Sequence, residues 1–248
     1  MSLFEIYKSL NLKAGKLTGY FPVYEKILKD LKSKPIVFVE VGVMDGGSLE
    51  MWIKYLHEDS RIIGVELNEN AIKLRDKGYE IFIGDQSSPE FWKKFYNEVG
   101  MIDVLLDDGG HTNLCQIVTV NESINNINDG GKIIIEDVGT SFMPRFGNPC
   151  KTSFLNYSKN VVNRLYGRNQ SLNIKRSNLF EQNVFSINFY DSIVSFEINR
   201  KNCFISKLEL SGTEKIGALD YRFNHLEIFS NENNYFQKTI NRLSRRIG

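Results

Sequence analysis

The amino-acid sequence predicts an α/β protein built around a parallel sheet. Five short apolar runs rich in β-branched residues recur along the chain, at Ile36–Val41, Arg61–Glu66, Glu80–Ile83, Ile102–Leu106 and Lys132–Ile135. Runs that are apolar throughout are typical of strands covered by helices on both faces. Segments of helical pattern separate these runs, as crossover helices do in a parallel sheet.

Helices are predicted between consecutive strands, at Ser48–Tyr55, Asn68–Lys77, Pro89–Val99 and Cys115–Ile127. The turn-forming residues Asn128, Asp129, Gly130 and Gly131 then end the last helix and lead into the fifth strand. Before the first strand, Leu3–Leu31 is predicted to form a helical cap.

The sequence becomes polar and rich in asparagine after Gly147, Asn148 and Pro149. Within this part, Asn183–Tyr190 and Ile193–Asn199 both alternate apolar and polar residues. The two residues between them favour a tight turn, so the pair predicts an antiparallel hairpin.

Length, composition and charge favour a small-molecule function. The 31 basic and 30 acidic residues give a formal net charge of +1, so the chain lacks the positive field with which nucleic-acid-binding proteins collect phosphates. No stretch is apolar for the roughly 20 residues that a membrane span needs, and the amino terminus lacks the apolar core of a signal peptide. We expect one cytoplasmic domain of 248 residues, with a cap (1–33), a ligand-binding core (34–147) and a carboxyl-terminal part (148–248).

Two further features are interpreted without a specific function. Cys115, Cys150 and Cys203 are widely spaced, which indicates neither a disulfide framework nor a zinc site. The basic tail Lys238–Arg246 is interpreted as the solvated face of a helix. Contact with nucleic acid and contact with a second copy of the chain are alternative roles for this tail.

The first strand runs into a glycine-containing loop, Glu40-Val41-Gly42-Val43-Met44-Asp45-Gly46-Gly47-Ser48. Glycines between a strand and a helix let the backbone approach a ligand closely, and open α/β sheets bind ligands at the carboxyl ends of their strands. Two motifs are absent, the GxGxxG fingerprint of dinucleotide-binding proteins and the phosphate-binding loop of nucleoside triphosphatases. Their absence disfavours a nicotinamide dinucleotide or a nucleoside triphosphate as the ligand.

Polar residues also end the next two strands. Glu66 ends the second strand, where a carboxylate can accept hydrogen bonds from both hydroxyls of a ribose. Asp85 and Gln86 end the third strand. Because these strand ends share one edge of a parallel sheet, the three side chains predict a nucleoside site.

Two acidic pairs predict a cation site at the same edge. Asp107 and Asp108 end the fourth strand within LLDDGGHTN, and Glu136 and Asp137 end the fifth. Neighbouring buried carboxylates repel each other unless a cation lies between them. Oxygen ligands without accompanying cysteines favour Mg²⁺, with Mn²⁺ or Ca²⁺ as alternatives.

The two glycines after Asp108 let His111 fold back toward this cation site. An imidazole there is suited to take a proton from an alcohol whose acidity a metal has increased. The alternative is that the acids cap the following helix and His111 only occupies the turn. Capping needs one acid, however, and leaves the second acidic pair unexplained.

The order of these strand-end residues from Val37 to Gly147 resembles the class I S-adenosylmethionine-dependent methyltransferases. The segments VEVGVMDGGSLEMW, GDQ, LLDDGGHTN and IIEDVGTSF resemble more narrowly the metal-dependent sugar O-methyltransferases, the group that includes the macrocin and demethylmacrocin enzymes. The resemblance implies a Rossmann-like fold with a mainly parallel seven-stranded sheet. It also implies methyl transfer to a small-molecule acceptor, a sugar or nucleotide-linked sugar hydroxyl.

The resemblance further implies roles for individual residues. The Gly42 loop would lie under the methionine part of S-adenosylmethionine, Glu66 would hold its ribose, and Asp85 and Gln86 would lie near its adenine. The residues expected to bind this cofactor are Glu40, Gly42, Gly47, Ser48, Glu66, Leu67, Asp85, Gln86 and Asp107. The expected metal ligands are Asp108, Glu136 and Asp137, and the expected catalytic residues are His111 as base and Asp108.

The chain departs from the family pattern in two places. Gly110 stands where the family usually has serine. The family's Asp-Lys-Gly and His-Tyr motifs are replaced by Ala14-Gly15-Lys16-Leu17-Thr18-Gly19-Tyr20, followed by Tyr24. Tyr20 and Tyr24 are candidates to cover the cofactor, and Arg145 in Thr140–Lys151 is a candidate to meet an anionic acceptor.

Other functions stay open at this point. A phosphoryl or phosphoramidate oxygen, as in capsule modification, would bind the same cation and need less help from a base. The chain is rich in Asn, Lys and Ile, as proteins of AT-rich bacteria are, and such a bacterial source is compatible with capsule modification. A second alternative is a protein that binds S-adenosylmethionine without catalysis.

Overall fold

The structure is a computed structural model that describes residues 1–147, 150–169, 179–207, 209 and 211–214. The chain divides into two compact units, Met1–Ser206 and Lys207–Gly248, and nearly all described residues lie in the first. The basic tail Lys238–Arg246 lies outside the described residues. The interpretation of this tail as the solvated face of a helix therefore stays a prediction. The same holds for a homo-oligomer and for the division into cap, core and carboxyl-terminal part.

A seven-stranded sheet forms the centre of the first unit. Its strands are β1 (Val37–Val41), β2 (Arg61–Glu66), β3 (Glu80–Ile83), β4 (Ile102–Asp107), β5 (Ile127–Ile135), β6 (Val184–Phe189) and β7 (Val194–Ile198). Their order across the sheet is β3-β2-β1-β4-β5-β7-β6. β1 to β5 run parallel, and β7 pairs antiparallel with both β5 and β6. The predicted parallel sheet and antiparallel hairpin are therefore confirmed.

Helices cover both faces of this sheet. The α-helices are α1 (Leu3–Lys8), α2 (Tyr20–Ile27), α3 (Gly47–Tyr55), α4 (Pro89–Val99), α5 (Asn113–Ser123), α6 (Phe154–Leu165) and α7 (Phe180–Asn183). Segments of 3₁₀-helix lie at Glu69–Lys77, Ile124–Asn126, Val138–Phe142, Pro144–Phe146, Tyr166–Arg168 and Arg200–Asn202. Among the described residues, no helix is both long and apolar enough to cross a membrane.

Three elements differ from the sequence-based expectation. The segment predicted as helix from Asn68 is a 3₁₀-helix, in which the buried Ala71 and Leu74 are three residues apart and match its period of three. β5 begins at Ile127 instead of Lys132, because Ile127 pairs with β4 before the register shifts over the glycine turn. Helix α6 was not predicted, since its buried residues form a narrow stripe within a polar sequence.

The alternation of side chains across the strands explains why the strands are apolar throughout. Val39, Leu105 and Ile133 pack into one buried cluster with Trp92 and Phe95 of α4. Their neighbours Phe38, Val104 and Ile134 pack into a second cluster on the opposite face, with Trp52 of α3 and Tyr24 of α2. Both faces of the sheet are therefore buried at β1, β4 and β5.

The segment between α1 and α2 is fixed to the beginning of α3. The carboxylate of Glu50 accepts hydrogen bonds from the backbone N–H groups of Asn11, at 3.2 and 3.0 Å, and Leu12, at 2.9 Å. It also binds the ammonium of Lys54 at 2.6 Å. At Gly47, a Cβ would lie 2.5 Å from the carbonyl oxygen of Lys13, so glycine permits the close approach of this segment to α3.

We predict that Glu50→Gln lowers the free energy of unfolding by about 1–3 kcal/mol at pH 7, because the ion pair is lost and the backbone amides keep a weaker acceptor. Although burial opposes ionisation, Lys54 and the amides of Leu12 and Asn11 lower the pKa of Glu50 to about 2. The unfolded value is about 4.3, so this contribution is present above pH 4.3 and is lost as the pH falls toward 2.

Urea unfolding of the wild type and of Glu50→Gln, at pH 7 and at lower pH, measures how much the Glu50 carboxylate contributes to the free energy of unfolding. The control is Glu58→Gln at an exposed position, which should change the free energy of unfolding by less than about 0.5 kcal/mol. Equal losses for the two variants, or a difference that grows in acid, would contradict the assignment.

Candidate active site

A cavity of about 530 Å³ opens at the carboxyl ends of the parallel strands. The strand ends lie level with one another, since Val41 pairs with Val65 on one side and with Asp107 on the other. Six of the predicted cofactor-binding residues line this cavity, namely Gly42, Ser48, Glu66, Leu67, Asp85 and Gln86. Glu40, Gly47 and Asp107 do not line it, and their assignment to the cofactor stays a prediction.

Gly42 joins the loop after β1 to the end of β4. Its φ angle is +86°, and a Cβ at this position would lie 2.2 Å from the carbonyl oxygen of Asp108. On the same side, the N–H of Asp108 donates to the carbonyl of Val41 at 3.0 Å. Glycine is therefore required here both by the left-handed backbone and by the approach of the two strand ends.

Glu66 presents a fixed carboxylate to the cavity. One oxygen accepts hydrogen bonds from the N–H groups of Val43 and Met44, both at 3.0 Å. The other accepts from Leu67 at 2.9 Å and Asn68 at 3.0 Å. These four bonds link the loop after β1 to the loop after β2 and hold the carboxylate in one orientation.

Gln86 and Asp107 together fix the turn that leads to His111. The Gln86 side-chain amide donates to both oxygens of Asp107 at 2.9 Å and to the Thr119 hydroxyl at 3.1 Å. Its carbonyl oxygen accepts from the N–H of Gly110 at 2.7 Å. Burial raises the pKa of Asp107, although the hydrogen bond from Gln86 opposes this shift. Asp107 therefore lies behind the cavity wall as a buried anchor.

The two acidic pairs meet around the ammonium group of Lys16. Its Nζ atom lies 2.6 Å from Asp108, 3.0 and 3.1 Å from the two oxygens of Glu136, and 3.5 Å from Glu40. The Lys16 side chain is only 2% exposed. Sequence reasoning missed this residue, and the only signal was its position in the stretch that departs from the family pattern.

The charges in this cluster shift one another's pKa values. Burial alone would lower the pKa of Lys16, but Glu136, Asp108 and Glu40 raise it well above its usual value. Burial raises the pKa of Glu136 to about 8, although the charge of Lys16 opposes this shift. The ammonium group therefore neutralises part of a buried anionic cluster.

A second group of side chains lies beside this cluster. His111 Nε2 is 3.5 Å from an oxygen of Asp137 and 3.9 Å from the second oxygen of Asp108. His111 and Asp137 both have left-handed backbones, with φ angles of 53° and 54°. The Thr140 hydroxyl holds the two turns together, at 2.9 Å from the carbonyl of His111 and 2.7 Å from that of Asp137. Non-glycine residues are rarely left-handed, and such strain is frequent at functional sites.

The donor atoms of this second group fit a divalent cation in part. One atom each from Asp108, His111 and Asp137 lie within 4.8 Å of one another. Carboxylate oxygens are suitable ligands for Mg²⁺ or Mn²⁺, whereas an imidazole is a more usual ligand for zinc or iron. Of the three predicted metal ligands, the structure thus brings Asp108 and Asp137 together, whereas Glu136 faces Lys16. The role of Glu136 as a ligand stays a prediction.

The two tyrosines of α2 lie beside the acidic residues and not in the lining of the cavity. The Tyr20 hydroxyl donates a hydrogen bond to Asp137. The ring of Tyr24 lies beneath Lys16, with 5.9 Å between Nζ and the ring centroid. Both side chains therefore support the acidic cluster, and their position over the cofactor stays a prediction.

Arg145 lies near His111 through Phe146. Its guanidinium is 5.0 Å from the centroid of the Phe146 ring, which is 6.4 Å from the imidazole ring of His111. Both Phe142 and Met143 in the same segment are exposed. This segment therefore forms a partly apolar edge beside the imidazole, and its contact with an acceptor stays a prediction.

Proteins that act on sugars are similar to the chain in sequence, although no family model matches it. Mycinamicin VI 2''-O-methyltransferase from Micromonospora griseorubida is 24% identical over 203 residues, which are 77% of this chain and 50% of that protein. Demethylmacrocin O-methyltransferase from Streptomyces fradiae is 26% identical over 145 residues, or 56% and 36% of the two chains. The chain thus spans half or less of the length of these relatives.

Solved structures show the fold. The MycE methyltransferase from the mycinamycin biosynthetic pathway, in complex with Mg and SAH, superposes with a TM-score of 0.72 and 22% identity over 82% of this chain and 55% of that chain. The chain has the class I methyltransferase fold. The MycE complex with Mg, SAH and mycinamycin VI superposes on this chain with a TM-score of 0.69. The resemblance to sugar O-methyltransferases is therefore confirmed in sequence and in fold.

We predict that Gly42→Ala destabilises the protein more than Gly78→Ala does. Both positions have φ angles near +86°, but a Cβ at Gly78 would meet nothing within 4 Å. The left-handed backbone should cost each variant about 1–2 kcal/mol, and the contact with Asp108 should cost Gly42→Ala a further 1–3 kcal/mol or so. Urea unfolding measures the difference, and equal losses would show that β1 and β4 tolerate separation at this point.

Proposed function

We propose that this protein is an S-adenosylmethionine-dependent, divalent-metal-assisted O-methyltransferase that acts on a sugar hydroxyl of a small molecule. The observation that carries the proposal is the position of His111, Asp108 and Asp137 at the edge of a cavity in a class I methyltransferase fold. An imidazole and two carboxylates at that edge supply a base and a cation site next to the space for a methyl donor.

The cavity suits a nucleoside-containing donor. Its volume of about 530 Å³ lies within the range of about 300–1,000 Å³ that is usual for small-molecule sites. The fixed carboxylate of Glu66 would accept hydrogen bonds from a ribose diol. Since four backbone amides already bind this carboxylate, the ribose would share or replace some of them.

Asp108 and Asp137 would hold the metal ion, with Glu136 as a third ligand once it is no longer paired with Lys16. When bound, a divalent metal orients an acceptor oxygen and lowers the pKa of an alcohol. The chain contributes the orientation of these carboxylates, since Tyr20 holds Asp137 and Lys16 holds Asp108. Hydrogen bonds of this kind keep ligand side chains in position.

His111 would act as the general base. Its Nε2 atom faces the carboxylates of Asp108 and Asp137, and the proton of the acceptor hydroxyl would pass to this nitrogen. The acceptor oxygen then bonds to the methyl carbon while the carbon–sulfur bond breaks, and the sulfur keeps the electron pair.

The proposed acceptor follows from the names of the relatives. Their names describe O-methylation of mycinamicin VI, of demethylmacrocin and, for a further relative from Streptomyces olivaceus, of a rhamnosyl tetracenomycin. For this chain we propose a free or nucleotide-linked sugar, and the edge formed by Phe142, Met143 and Arg145 would contact the part of the acceptor beyond the reacting hydroxyl.

We expect wild-type protein to methylate at least one member of a panel of free sugars, nucleotide sugars and phosphorylated small molecules. His111→Ala should reduce turnover by about 10²–10⁴-fold, because the general base is lost. His57→Ala, a partly exposed histidine on the surface, is the matched control and should retain turnover. Near-normal activity of His111→Ala would contradict proton transfer to His111 and favour a phosphoryl acceptor.

Chelation tests the metal separately. We expect EDTA to abolish turnover and added Mg²⁺ or Mn²⁺ to restore it, because the acceptor oxygen would lose its orienting ion. Turnover should be measured before and after dialysis against EDTA. Full activity in the chelated protein would contradict the metal assignment.

Calorimetry tests the donor site. Glu66→Ala should bind S-adenosylhomocysteine about tenfold more weakly or worse, because hydrogen bonds to a charged acceptor are lost. Glu69→Ala, an exposed acid three residues away, should bind as the wild type does. Tight binding of NAD without binding of S-adenosylhomocysteine would overturn the proposed function.

A further inference from the structure

Lys16 occupies the centre of the carboxylates that the sequence assigned to a metal. Its ammonium has three N–H donors, and three carboxylates surround it, those of Asp108, Glu136 and Glu40. The side chain is 2% exposed, and those of Glu40 and Glu136 are 0% and 1% exposed. These side chains form a buried ion cluster in which one lysine supplies the positive charge.

The Lys16 ammonium lies where a cation bound by both oxygens of Glu136 would lie. Nζ is almost equidistant from the two carboxylate oxygens, at 3.0 and 3.1 Å. It therefore lies on the open side of the carboxyl group, where a metal that used both oxygens would lie. A metal ion bound there and the Lys16 ammonium cannot be present together.

The two oxygens of Asp108 face different groups, Lys16 on one side and His111 on the other. One oxygen binds Lys16 at 2.6 Å, while the other lies 3.9 Å from His111 Nε2. A divalent ion between Asp108 and Asp137 would thus lie close to a positive ammonium group. Like charges at short range in a buried site repel strongly, because little water screens them.

Two glycines flank the short stretch of chain that contains Lys16. Gly15 precedes it and Gly19 follows it, and a Cβ at either glycine would meet nothing within 4 Å. By contrast, the preceding residues Asn11 and Leu12 are fixed by Glu50. The backbone is therefore held as far as Ala14, whose carbonyl oxygen accepts a hydrogen bond from the Tyr7 hydroxyl at 3.0 Å, and it borders open space at Gly15 and Gly19.

We propose that Lys16 is a built-in counter-ion that competes with a divalent metal for Asp108 and Glu136, so that full metal coordination requires the ammonium to leave the cluster. The inference concerns the metal site of the proposed function. It makes Lys16 a positioning residue, which holds the carboxylates in place before the metal binds and lowers the affinity for the metal.

Lys16→Met tests the competition, because methionine fills similar space without charge. We expect it to bind Mn²⁺ about tenfold more tightly than the wild type or better, as one opposing charge typically changes such equilibria by that factor. The free Mn²⁺ signal in electron paramagnetic resonance measures affinity without donor or acceptor. Lys13→Met removes a charge from the same segment at an exposed position and should bind Mn²⁺ as the wild type does.

Equal or weaker Mn²⁺ binding by folded Lys16→Met would overturn the proposal, as would no binding by either protein. Circular dichroism checks that the variant is folded. The assay needs no methyl transfer, so a failed methyltransferase screen would leave the competition intact, and a failed competition would leave the screen intact.

A second measurement uses the wild-type chain and so does not depend on the folding of a variant. Acetic anhydride labelling followed by mass spectrometry reports how accessible each lysine is. We expect Lys16 to be protected without metal and to be labelled at about the rate of Lys13 when Mn²⁺ saturates the protein. Continued protection of Lys16 at Mn²⁺ saturation would overturn the displacement.

Discussion

Several carboxylates converge at one edge of the sheet, and their neutralisation constrains the rest of the structure. Glu40 and Glu136 are fully buried, and Asp108 is partly buried, with 19% of its side chain exposed. Removing such charges from water costs several kcal/mol each unless an opposite charge compensates. Lys16 supplies that charge from a segment that precedes the sheet. The fixing of this segment by Glu50 is therefore part of what permits the acidic edge to exist.

The same edge also explains how a few short contacts position the reactive side chains. Since β1 and β4 end level with each other, Gly42 lies against the backbone of Asp108. Gln86 reaches from the end of β3 to hold Asp107 and the glycine turn, which directs His111 back toward the carboxylates. Each contact joins two strand ends, so the arrangement depends on the parallel sheet and on no single loop.

Much of this could be predicted from the sequence. Parallel strands that are apolar on both faces bring their carboxyl ends together, which placed both acidic pairs and His111 at one edge. The contacts of Lys16 could not be predicted, because its partners Asp108 and Glu136 are 92 and 120 residues away and an isolated lysine in a polar stretch resembles a surface residue. Helix α6 was missed because its buried stripe is interrupted by polar residues.

Two kinds of group can supply the positive charge that these carboxylates require. Repulsion between buried carboxylates requires a positive charge, but it does not specify whether that charge is a metal ion or a side chain. Here an ammonium group meets the requirement at Glu136, while Asp108, His111 and Asp137 still group their donor atoms within 4.8 Å. Because Asp108 contacts Lys16 and also lines the cavity, any change of cation at the cluster also acts on the wall of the site proposed for the methyl donor.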